Sequence, residues 1–132
     1  MCIQGKNIKV EGKFITMYDV MRDVLLKIKE NNFMLKYVSN VRFKVSSGKR
    51  DEMLKLHENF NISDYEGALS FQLVDCGEDR FFSTIVWENE NSLVEARPAL
   101  IAFLDKCRPI LDEITPELGV TDPLSGKLIF EV

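Results

Sequence analysis

His57 is the only histidine in the chain. It shares a helical stripe with Met53, Leu56 and Phe60, at i, i+3, i+4 and i+7. An imidazole with its ordinary pKa near 6.5 can take up or release a proton at neutral pH, so His57 is the candidate catalytic group. The same placement also suits a histidine at the edge of a core, bonded to a backbone carbonyl. No second group completes a familiar constellation. Cys2, Cys76 and Cys107 are far apart and form no CxxC pair. One histidine and this cysteine spacing offer no tetrahedral ligand set, so no metal is expected. There is no phosphate-binding glycine loop and no nucleophile-elbow motif. A Ser-His-Asp set would have to use His57, and nothing places a serine or aspartate beside it.

Aromatic and apolar residues accompany this histidine. Trp87 offers a flat wall for an aromatic ligand, or a core or interface anchor. Tyr37, Val41 and Phe43 share one face of a strand and suit either a pocket lining or a packed core. Asn40 and Arg42 take the opposite face. Arg97 and Arg108, each followed by a proline, place cations at expected helix breaks. They suit an anion or ordinary surface ion pairs.

The elements that must position these residues follow from periodicity. Residues 1–15 read as a polar, extended lead containing Gly5 and Gly12, with a short strand at 8–10. Thr16 and Asp19 form a capping box ahead of Met17, Met21, Val24, Leu25 and Ile28, which recur at helical spacing until Asn31-Asn32. From Leu35 to Val45 the period switches to two, giving a half-buried strand. After Ser46-Ser47-Gly48 comes the helix of His57. Ala68–Val74 and Arg80–Glu88 pair across a turn at Gly77-Glu78-Asp79. A helical region runs from about Ser92 to Ile114, with breaks expected at Pro98 and Pro109. Its buried stripe is Leu100, Phe103, Leu104 and Cys107. The stretch 119–126 reads as a turn-rich link before a final strand at Leu128-Ile129-Phe130.

Without the first helix, the order is β-α-β-β-α-β. This predicts an α+β, ferredoxin-like fold with a four-stranded antiparallel sheet over residues 35–132, and an N-terminal extension over 1–34. Both helices would cover one sheet face. The strand 80–88 is apolar on both faces, with Phe82 and Val86 opposite Phe81, Ile85 and Trp87. Burying the second face against another copy predicts a homodimer; the alternative is a monomer whose N-terminal helix folds over that face.

The balance of 17 basic and 21 acidic residues gives a net charge of −4 in 132 residues. That argues against nucleic acid as a partner, since a phosphate backbone requires a basic stripe. No apolar run has the length of a membrane span. The first residues lack the apolar core of a secretion signal, and the three cysteines read as reduced thiols, so a cytoplasmic location is expected.

Val41-Arg42-Phe43-Lys44-Val45 followed by Gly48 and Met53 resembles the first strand and helix of antibiotic biosynthesis monooxygenase-like domains. Phe82 to Glu90 resembles the family's strand ending in an aromatic–acid pair before its second long helix. The resemblance covers about residues 36–132 and implies a dimeric α/β barrel with a pocket between helices and sheet in each subunit. Some members oxidise aromatic polyketides or quinols without metal or cofactor, so no cofactor is expected. It implies His57 as the base acting on a phenolic ligand, with Trp87, Tyr37, Val41, Phe43, Phe60 and Phe103 binding a small aromatic substrate. Another branch cleaves haem, with an asparagine in the first strand and a tryptophan and axial histidine in the second helix. The matching positions here are Val41, Ala96 and Lys106, so that pattern is not met. The alternative to a monooxygenase is a non-catalytic ligand-binding or stress-associated dimer of the same fold.

Overall fold

The computed structural model describes residues 7–10 and 13–132 of the chain. It divides into two compact units, Met1–Met34 and Leu35–Val132. Cys2, Gly5 and Gly12 lie outside the described residues.

The first unit is a hairpin followed by a helix. Strand β1 (Asn7–Val10) pairs antiparallel with β2 (Lys13–Thr16). Helix α1 (Met17–Met34) begins where β2 ends. Asp19 N–H donates to Thr16 Oγ1, and Thr16 N–H and Oγ1 both donate to the Asp19 carboxylate, at 2.8–3.2 Å. This is the expected reciprocal cap, and it satisfies donors that the first helical turn leaves without partners. These hydrogen bonds, the Thr16 hydroxyl first, hold the Asp19 carboxyl below its usual range. The helix continues past the expected stop at Asn31-Asn32 to Met34. Strand β2 goes beyond the single short strand expected at 8–10 in the extended lead.

The second unit holds strand β3 (Tyr37–Val45), helix α2 (Arg50–Glu58), strands β4 (Ala68–Gly77) and β5 (Arg80–Trp87), helix α3 (Glu90–Cys107), and strands β6 (Leu111–Asp112) and β7 (Asp122–Lys127). The sheet order is β4-β5-β3-β6, and β7 also pairs with β3. The two central strands are those the crossover rule places there, and the architecture is α+β and ferredoxin-like. Two differences concern the edge. The fourth position is shared end to end: β6 pairs with Lys44 and Val45, and β7 pairs with Tyr37 to Arg42, making five strands rather than four. The last strand is Asp122–Lys127, not 128–130. A proline is tolerated on an edge strand, because its missing N–H faces away from the ladder, and Pro123 occupies such a position opposite Val41.

Helix α3 also departs from expectation. It runs through Pro98 without a break, and a short 3-10 turn (Arg108–Ile110) follows it. Pro98 and the residue four back, Val94, are both exposed, so the carbonyl deprived of its partner faces water rather than the core. Asn89 caps the start, its side-chain oxygen accepting from Ser92 N–H at 3.0 Å. The β4–β5 hairpin turns on Glu78 and Asp79, with φ of 57° and 61°. Positive φ at both central residues is the turn geometry whose twist matches paired strands. Gly67 (φ +82°) meets α3 so closely that an added Cβ would clash with Ser92 Oγ.

Alternation divides the sheet into two faces. Tyr37, Ser39, Val41, Phe43 and Val45 stand with Phe81, Ser83, Ile85 and Trp87 beneath the helices. The opposite face carries Val38, Val74, Phe82 and Val86. There Asn40 Nδ2 donates to Thr84 Oγ1 at 2.9 Å, directly across the ladder. Arg42 pairs with Asp122, again across the ladder. No helix among the described residues is long and apolar enough to cross a membrane.

Candidate functional site

The covered side of the sheet does not hold one continuous core. Phe43, Val45, Met53, Phe81, Cys107, Ile110 and Leu111 form one buried cluster, and Ile85, Trp87, Leu93 and Ala96 form another. Between sheet and helices lies a cavity of about 590 Å³. That volume is within the range of small-molecule sites. Its floor includes Ser39 and Ser83, small residues on strands whose neighbouring inward positions hold Tyr37, Val41, Phe81 and Ile85. A serine where a strand otherwise presents bulk leaves space above it. Leu93, Leu100, Phe103 and Leu104 of α3 form the roof, and Thr121, Pro123 and Ser125 close the side along β7.

His57 stands in the last turn of α2 and lines this cavity. Its ring stacks on Phe43 (5.9 Å between centroids) and Phe71 (6.2 Å) and meets Phe103 edge-on (5.2 Å). Phe60 extends the aromatic wall, stacked on Phe71 at 4.4 Å and edge-on to Phe103 at 5.2 Å. Phe60 lies just beyond α2 rather than on it, tied back by its N–H to the His57 carbonyl at 3.0 Å.

His57 Nδ1 lies 3.0 Å from the Met53 carbonyl. A carbonyl only accepts, so the proton of the neutral ring sits on Nδ1 and Nε2 keeps its lone pair. Nε2 has no hydrogen-bond partner among the described residues, and no buried side-chain nitrogen or oxygen there is left unpaired, so Nε2 is reachable from solvent. Burial holds the imidazole below its usual pKa, against the opposing pull of the Met53 hydrogen bond. The ring is therefore neutral at pH 7, with a basic nitrogen available. Burial pushes the Cys107 thiol up, away from thiolate.

Val41, Phe43, Phe60 and Phe103 join His57 around the cavity; Trp87 and Tyr37 do not. Trp87 is completely buried, its Nε1 donating to Ser39 Oγ at 2.9 Å, and Tyr37 packs against the Trp87 cluster. Arg97 and Arg108 both border the cavity; Arg108 pairs with Asp105 at 2.8 Å. Sequence reasoning did not single out Phe71, Ser83 or Thr121. Thr121 is the one buried polar side chain among the described residues. For Ser83 a signal existed: a small polar residue on the inward alternation of an otherwise bulky strand.

A haem-type site finds no support in these positions. Val41 lies on the floor, Ala96 is buried in the Trp87 cluster, and Lys106 is exposed, so α3 offers no imidazole. No group of three metal-ligating side chains occurs among the described residues.

No family model matches the chain, and no curated protein sequence matches it. Solved structures do. A putative antibiotic biosynthesis monooxygenase from Chloroflexus aurantiacus superposes with TM-score 0.54 at 17% identity, over 74% of this chain and 96% of that one. SnoaB, a cofactor-independent oxygenase from Streptomyces nogalater, gives 0.57 at 11% identity, over 74% and 96%. The haem degrader MhuD from Mycobacterium tuberculosis gives 0.53 at 22% identity, over 73% and 98%. At these identities the likeness is one of fold, and the fold is the one found in antibiotic biosynthesis monooxygenase-like proteins.

Proposed function

We propose that this protein is a cofactor-independent monooxygenase of a small aromatic or quinol substrate, working as a homodimer with His57 as its base. The observation that carries the reading is His57 lining an aromatic-walled cavity, with Nδ1 held by the Met53 carbonyl and Nε2 without a hydrogen-bond partner among the described residues. The rings of Phe43, Phe60, Phe71 and Phe103 suit a flat ligand. Nε2 takes the proton of a phenolic hydroxyl, leaving an electron-rich phenolate for dioxygen, the co-reactant. For a ring methylene taken to a carbonyl, one oxygen atom enters the carbon and the other leaves as water. The two C–H bonds supply the four electrons that dioxygen accepts, and His57 returns its proton. SnoaB, with a similar fold, is described as a cofactor-independent oxygenase. Homodimer formation is supported by Val38, Val74, Phe82 and Val86 on the sheet face without helices.

A second reading, a ligand-binding protein without turnover, is favoured by the scarcity of titratable groups in the cavity. Oxygen consumption with a panel of quinols separates the two. The monooxygenase reading expects turnover in the wild type and a loss of about 10²–10⁴-fold in His57→Gln, with ligand binding retained. Turnover at the wild-type rate in the variant removes His57 from the chemistry. Binding without oxygen consumption establishes the second reading. Sedimentation at twice the chain mass is the expected result for the dimer.

A further inference from the structure

The charges around the cavity are one-sided. Twenty-two residues line it, and none is Asp or Glu, in a chain with 21 acidic residues and a net charge of −4. Of the acids adjacent in sequence to lining residues, Asp105 pairs with Arg108, Asp122 pairs with Arg42 on the other face of the sheet, and Asp112 accepts from Ser46, while Glu58 does not line the cavity. The two full cations of the lining, Arg97 and Arg108, are eleven residues apart on α3 and its cap. Eleven residues are about three helical turns, so both cations lie on one stripe, separated by about 16 Å of helix. Leu100 and Leu104 lie between them and face the same cavity. The roof is thus an apolar stripe with a cation at each end. One cation is neutralised by its own turn; Arg97 has no carboxylate partner among the described residues.

An unpaired guanidinium at the rim of an apolar cavity, from which the protein's own acids are excluded, fits a ligand that brings its own carboxylate. We propose that the cavity takes an aromatic carboxylate, with its rings among the phenylalanines and its acid group held by Arg97. The planar fork of the guanidinium matches both carboxylate oxygens. The proposal deepens the reading above and rests on it for the site, since it names the substrate class of that same cavity. Arg97 is solvent-exposed, so the pairing is partly screened and its effect is a modest, salt-sensitive preference.

The test is binding without oxygen, so that turnover does not intervene. Anthracene-2-carboxylate and its uncharged carboxamide are titrated by fluorescence against the wild type, Arg97→Gln and Lys106→Gln. Lys106 lies on the same helix, is exposed and does not border the cavity, so its replacement changes net charge equally. The wild type is expected to bind the carboxylate roughly tenfold more tightly than the carboxamide at low salt, and less selectively as salt rises. Arg97→Gln is expected to bring the two affinities together with the carboxamide affinity unchanged, while Lys106→Gln keeps the preference. A wild type that binds both equally, a preference surviving in Arg97→Gln, or one lost equally in Lys106→Gln overturns the proposal and leaves the monooxygenase reading intact. An Arg97-dependent preference without oxygen consumption on any aromatic acid upholds it and overturns that reading. If neither arene binds, the proposal falls, and oxygen consumption with the quinols alone decides the monooxygenase reading.

Discussion

The Trp87 cluster and the His57 surround are built from similar residue types on the same sheet face, yet one is sealed and the other hollow. Trp87 is fully buried, its ring against Leu93 and Ala96 and its N–H on Ser39. His57 is surrounded by phenylalanines, but it borders the cavity and its Nε2 has no hydrogen-bond partner among the described residues. The difference arises on the floor between them. Ser39 borders both regions, accepting from Trp87 while lining the cavity, and Ser83 places a second small side chain beneath the cavity. Aromatic content therefore does not by itself make a core; the side chains across the ladder decide whether space is filled.

The largest effect that would break this contrast is expected at Trp87. Trp87→Ala should cost about 3–5 kcal/mol in denaturant unfolding, because the ring is lost from a packed cluster and Ser39 loses its donor. A cost near 1 kcal/mol would mean the cluster is no tighter than the cavity. Ser83→Leu should act in the opposite way. Its side chain enters existing space, so the stability change should stay under about 1 kcal/mol while arene binding disappears. Destabilisation of about 1–3 kcal/mol, the cost of overpacking, would show that no hollow exists there. The smallest effect is read as a slope with pH. The folded pKa of His57 is depressed, so the unfolded chain binds the proton more readily. The stability this group contributes is complete above pH about 6.5 and is lost as pH falls through the lower folded value. Replacing His57 by Gln should flatten that part of the stability–pH curve; an unchanged slope would place the ring in a more solvated setting.

Much of the frame is visible in the chain itself. The switch to period two after Leu35 marks β3, the Thr16–Asp19 spacing marks the start of α1, and the His57 stripe marks α2. Residues governed by tertiary context are not visible in this way. Pro123 and Gly126 read as a turn, because only an edge position makes a proline harmless in a strand. Pro98 reads as a break, because its exposure on α3 cannot be known before the helix is docked. At the site, His57, Phe43, Phe60 and Phe103 are legible as chemistry. The hollow is not, since it depends on Ser83 lying opposite Val41 beneath α3. Trp87 illustrates the converse: its type suits a ligand wall, but its position fills a core.

Pro98 has one further consequence. Leu93 and Ala96 anchor the first half of α3 in the Trp87 cluster, whereas Phe103 and Cys107 anchor the second half with Phe43. The proline lies between these two anchors, where one helical hydrogen bond is missing. Bending is least costly at that point. The roof is therefore moored at both ends, with its weakest backbone link midway between the two clusters.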